Sequence, residues 1–85
     1  MRISIDHPTD RPNFYIVHVG NLSLAFSYRT IIGFSVGGSR WVIRENVWGP
    51  TTGKHLNYLA NKNTRISEVD FTPRLHAVLL QFGLA

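Results

Sequence analysis

The chain has no cysteine, so it can carry neither a disulfide framework nor a cysteine-ligated zinc site. It also has little charge. Only 16% of its 85 residues are charged, while 44% are apolar and 12% aromatic, which excludes a charge-expanded disordered chain. Long hydrophobic runs are missing as well. The longest span about four residues, against the roughly 20 needed to cross a bilayer. No basic segment followed by an apolar stretch marks a secretion signal. The expectation is one small domain over residues 1–85, cytoplasmic and without a membrane segment.

What is present divides near residue 47. Residues 1–46 are rich in Val, Ile, Phe, Tyr and Ser, which is strand chemistry. Short apolar alternations predict strands over Arg2–Ile5, Phe14–Val19, Leu22–Ser27, Thr30–Val36 and Arg40–Glu45. Gly20-Asn21, Tyr28-Arg29 and Gly37-Gly38-Ser39 are the turns between them, and such short connections require antiparallel neighbours. Leu22, Leu24 and Phe26 share one face; Ile32, Phe34 and Val36 are expected to share one face of the next strand. Gly33 marks a bulge or a close backbone approach. Asp6 to Pro12 holds two prolines and two Asp and reads as a loop.

Residues 47–85 supply helices. Thr51 or Thr52 is the expected cap of a short helix reaching about Ala60, with Leu56, Leu59 and Ala60 on one side. Asn61 to Thr64 is a polar turn. Phe71, Leu75, Val78, Leu79 and Phe82 form one continuous helical stripe. Thr72 before Pro73 reads as its N-cap, with Asp70 the alternative a turn earlier. Gly83 suits the position after the helix, with Leu84 folding back. The fold class is therefore α+β: an antiparallel meander of four to five strands, covered on one face by a short helix and a C-terminal amphipathic helix.

Few residues carry recognisable chemistry. Gly49-Pro50-Thr51-Thr52-Gly53-Lys54-His55 opens a helix after a strand, as a phosphate loop does. It is one residue short between its glycines and has His55 where the magnesium-binding hydroxyl belongs, so nucleotide hydrolysis is not expected. Lys54 and His55 in a first turn without acids leave the reading of an anion at the helix start. Asp6, His7 and Asp10 lack a fourth ligand at metal spacing. His18 and His76 read as packed or half-exposed side chains. No serine lies in a nucleophile-elbow context, and no carboxylate pair suits glycoside chemistry. The expectation is no enzyme and no cofactor.

Charge is uneven. Between Arg40 and Arg65 there are five basic residues and one acid, Glu45, so this segment holds the whole net charge of +4. If Arg40 and Arg44 face solvent, they join Lys54, Lys62 and Arg65, with Trp48 and Tyr58, in a basic patch interleaved with aromatics. The candidate binding residues are Arg40, Arg44, Asn46, Trp48, Thr51, Thr52, Gly53, Lys54, His55, Asn57, Tyr58, Lys62 and Arg65.

Two segments resemble a known group. The run from Arg44 to Asn57, Arg-Glu-Asn-Val-Trp-Gly-Pro-Thr-Thr-Gly-Lys-His-Leu-Asn, is similar to a block in small uncharacterised proteins of tailed phages and related mobile elements. Leu24-Ala25-Phe26-Ser27-Tyr28-Arg29-Thr30 resembles a second block of the same proteins. The resemblance implies a phage-type accessory role in a host cell and no particular mechanism. Two readings stand. One is an accessory module bound to a protein partner, with a host-takeover or anti-defence role. The other is a nucleic-acid or phosphate binder using residues 40–65. Homodimerisation through sheet edges is compatible with both.

Overall fold

The computed structural model describes residues 3–7, 13–45, 49–59 and 65–84, without the side chains of Pro50, Thr51 and Asn57. Within these, strands β1 (Ile3–Asp6), β2 (Phe14–Val19), β3 (Leu22–Ser27), β4 (Thr30–Val36) and β5 (Val42–Arg44) run consecutively. Helix α1 (Pro50–Leu59), strand β6 (Arg65–Ile66) and helix α2 (Glu68–Gln81) follow. The sheet has six strands in the order β1-β2-β3-β4-β5-β6, one more than the upper expectation. The first five form the antiparallel meander; β6 pairs parallel to β5. That parallel pair needs a crossover, and α1 is the crossover. Two residues are too short for a periodicity signal, so β6 is legible only through its partner.

The two helices do not share a face. Leu56 and Leu59 of α1 pack with Phe14, Ile16, Ala25, Ile32, Trp41 and Ile43. Phe71, Leu75, Val78, Leu79 and Phe82 of α2 pack with Leu22, Leu24, Phe26, Ile31, Phe34, Val36, Val42 and Ile66. Cross-strand register puts these two sets on opposite sides of the sheet, because paired residues share a face and neighbours alternate. The expected single cover is therefore corrected to a three-layer arrangement. Both faces of β3 and β4 carry apolar residues, and a sheet apolar on both faces needs a layer on each.

A bulge in β4 sorts its residues between the layers. Ala25 pairs with Gly33 but Phe26 pairs with Ile31, leaving Ile32 as the extra residue. Ile32 and Gly33 consequently both face α1, while Ile31, Phe34 and Val36 face α2. The expectation that Ile32 shares a face with Phe34 and Val36 is overturned by this one inserted residue. Gly33 is also a close approach. A Cβ there would lie 2.9 Å from Ile43 Cγ2 and 3.3 Å from Leu59 Cδ1.

Helix ends follow local chemistry. Pro50 begins α1, where its missing N–H costs nothing, and Gly53 N–H donates to the Gly49 carbonyl. Thr52 is thus inside the helix and is not its cap. Ser67, not Thr72, caps α2: its Oγ accepts from Asp70 N–H at 3.3 Å. Ser67-Glu68-Val69-Asp70 is a readable capping pattern. Pro73 lies inside α2 and removes one helical hydrogen bond. At the other end Gly83 takes φ 72, and Leu84 N–H reaches the Leu79 carbonyl at 2.8 Å, closing a Schellman motif.

One cation lies beneath α2. Arg44 is 9% exposed, pairs through Nη2 with Glu68 Oε1, and stands 5.3 Å from the centre of the Phe71 ring. Its Nη1 also donates to the Ile31 carbonyl at 3.5 Å. Arg44 therefore anchors the start of α2 to β5 and does not belong to a solvent-facing stripe.

Two substitutions test this account. Gly33→Ala forces β5 and α1 apart and is expected to destabilise by about 1–3 kcal/mol. Glu68→Ala leaves the Arg44 guanidinium buried without its carboxylate; with Glu68 itself half-exposed, the loss is about 1–3 kcal/mol rather than that of a fully buried pair. Urea unfolding measures both as a lowered midpoint at unchanged slope.

Candidate functional site

Helix α1 meets the sheet through an i, i+3, i+4, i+7 set: Thr52, His55, Leu56 and Leu59. Two of the four are polar. Thr52 and His55 are nevertheless buried, His55 to 1% exposure. Their partner is Ser27, the last residue of β3. Its Oγ lies 2.8 Å from His55 Nδ1 and 3.0 Å from Thr52 Oγ1. The three side chains satisfy one another, as buried polar groups must.

Aromatic rings frame the network. Phe14, opposite Ser27 in register, stacks on His55 with centroids 4.9 Å apart and 17° between planes. Tyr58 meets Phe14 edge-on at 5.3 Å. The Tyr28 ring is tilted against His55 at 6.4 Å. Tyr28 takes φ 58, an unusual conformation for an aromatic residue, held by its N–H donating to the Asn13 carbonyl at 2.7 Å. Strained backbone of this kind collects at functional positions.

A half-open pocket of about 260 Å³ opens beside the network, lined by Ser27, Tyr28, Thr30, Ile32 and Thr52. The bulge supplies its apolar floor, Ile32; the β3–β4 turn supplies the exposed Tyr28 wall; α1 supplies Thr52. Its surface combines an apolar base with four hydroxyl-bearing residues, Ser27, Tyr28, Thr30 and Thr52. That combination is not a metal-binding donor set.

The residues singled out in the sequence are divided by this arrangement. Thr52 lines the pocket, His55 joins it through Ser27, and Tyr58 packs edge-on against Phe14. Gly53 is half-buried in the first turn of α1, and Lys54 is exposed. Thr52 and His55 face the sheet, away from the solvent where an anion at the helix start would meet Lys54. Arg40 is exposed between β4 and β5, Arg44 is held under α2, and Arg65 is half-buried on the α1 side of β6. The expected basic stripe through Arg40 and Arg44 is therefore split. Asn46, Trp48 and Lys62 lie outside the described residues, as do the expected 8–12 loop, Ala60 and the 61–64 turn; Thr51 and Asn57 are placed in α1 by backbone alone.

Ser27, Tyr28, Thr30, Ile32 and Phe14 were not legible as site residues. The alternation in β3 puts Ser27 on the face that a single cover would leave to solvent. The helical spacing of Thr52 and His55 with Leu56 and Leu59 was the available signal.

Residues 6–72 match the Family of unknown function (DUF8033). The chain belongs to that family. The matched span holds every pocket residue and all of α1, and ends in the second turn of α2. No curated protein and no solved structure matches the chain.

Removing the imidazole tests the network. His55→Ala opens a cavity against Phe14 and leaves the Ser27 and Thr52 hydroxyls without it. The expected loss is about 2–4 kcal/mol, read from chemical unfolding.

Proposed function

We propose that the protein is a small accessory binding protein that holds a protein partner by taking one of its apolar or aromatic side chains into the Ser27–Tyr28–Thr30–Ile32–Thr52 pocket. The observation that carries this reading is the pocket itself: half-open, about 260 Å³, with an Ile32 floor and a hydroxyl rim. Its volume falls at or below the lower end of small-molecule and cofactor sites, which suits a single inserted side chain. Tyr28, exposed in its wall, is of the residue type enriched at binding hot spots. Arg29 stands exposed next to Tyr28 and adds a charged rim.

The nucleic-acid reading has less behind it. A phosphate-tracking surface needs several free cations along one groove. Arg44 is engaged by Glu68, and Arg65 lies half-buried on the α1 side of the sheet. Among the described residues no helix is long and apolar enough to cross a membrane. The proposal extends to a host-cell protein as the partner, and with it a host-takeover or anti-defence role.

Thr30→Trp tests the proposal by filling the pocket from its rim, with circular dichroism confirming the fold. Immobilised wild-type protein is expected to retain a host protein from nuclease-treated bacterial lysate. The Thr30→Trp form should retain at least tenfold less of it. Tyr28→Gly, which relieves the backbone strain while removing a pocket wall, should behave likewise. Capture that disappears with nuclease, or that is equal for all three proteins, rejects the reading.

A further inference from the structure

A second polar constellation lies on the same sheet face, at the end away from the pocket. Asp6, His18 and Ser23 sit on three adjacent strands, β1, β2 and β3. His18 and Ser23 are directly opposite in register, and Asp6 is paired to Ile16, two residues along β2 from His18. His18 Nε2 lies 2.7 Å from Asp6 Oδ2, and His18 Nδ1 lies 2.8 Å from Ser23 Oγ. Ser23 is four residues from Ser27 on β3, or about 13 Å at strand rise, so this group is separate from the pocket.

We propose that Asp6, His18 and Ser23 form an acyl-transfer relay in which Ser23 is a nucleophile toward small, activated esters. For the neutral imidazole the directions follow from the partners: an ionised carboxylate only accepts, so Nε2 carries the proton and donates it to Asp6. Nδ1 is then the basic nitrogen, and Ser23 Oγ–H donates to it. This is the polarity that nucleophilic serine chemistry requires: base on the hydroxyl, carboxylate on the far ring nitrogen. The ring nitrogens are exchanged relative to the usual hydrolase order, which leaves the proton path intact. The His18 side chain is 34% exposed and that of Asp6 68%, so solvent reaches both.

The chemistry balances with water as the only co-reactant. Ser23 Oγ attacks the ester carbonyl carbon as its proton passes to His18 Nδ1. The imidazolium so formed is faced by the Asp6 carboxylate. The bond from carbon to the leaving oxygen then breaks, and Nδ1–H protonates that oxygen. Water repeats the sequence on acyl-Ser23: its proton goes to Nδ1, the acyl–Oγ bond breaks, and Ser23 regains its proton. The sum is ester and water to acid and alcohol. Ser23 and His18 touch the reacting atoms; Asp6 is a positioning residue.

The test uses a fluorophosphonate as the trapping probe and p-nitrophenyl acetate as the substrate, on the full chain. Peptide mass spectrometry is expected to find the phosphonyl adduct on Ser23, and Ser23→Ala should abolish it. His18→Ala should slow labelling by about 100-fold or more, the usual contribution of a general base. His18→Gln carries the same comparison if His18→Ala fails to fold. Asp6→Asn should lower kcat at unchanged KM, because Asp6 orients the ring without touching the ester. No adduct on the wild type, an adduct on another residue, or labelling indifferent to His18 overturns the proposal.

Discussion

One inserted residue in β4 governs much of this molecule. Because Ile32 is extra in the β3–β4 ladder, it and Gly33 both turn toward α1. Gly33 then leaves room for Leu59 and Ile43 to close over the sheet. Ile32 becomes the floor of the pocket. Ile31 is moved to the opposite face, where its carbonyl receives Arg44 and its side chain joins the α2 layer. A regular β4 would put Ile31 and Ile32 each on the other layer and disturb both at once.

The two layers are built differently. The α2 side is an ordinary apolar interface, with Phe71 fully buried against β3 and β4 and the Arg44–Glu68 ion pair at its start. The α1 side mixes Leu56 and Leu59 with the Ser27–His55–Thr52 network. A small chain buries a limited fraction of its surface, so placing an imidazole in that interface uses core volume on polar atoms. The cost is offset by mutual hydrogen bonding and by the Phe14 stack. The result is a hydrogen-bonded rim beside a half-open pocket.

Polar residues on the α1 face are also ordered along the strands. The row Ser4, His18, Ser23 and Ser35 crosses β1 to β4 in register at one end, while Phe14, Ser27 and Thr30 lie at the other. Thr52 and His55 of α1 meet the second end through Ser27. The face therefore carries two separate polar groups, Ser27–His55–Thr52 at one end and Asp6–His18–Ser23 at the other.

The linear sequence determined the strand chemistry of the first half, the turn positions, the α2 stripe from Phe71 to Phe82, and the Gly83 stop. Each rests on local spacing or on the backbone freedom of a single residue. It could also have shown Ser67 as the α2 cap and the Thr52–His55–Leu56–Leu59 stripe, since both are local patterns. Tertiary structure alone decided that the helices take opposite faces, that Arg44 is buried while Arg40 is not, and that His18 meets Asp6 and Ser23 across strands. These depend on a one-residue bulge and on strand register. A shift of one residue reverses every side chain, and no local periodicity reports such a shift.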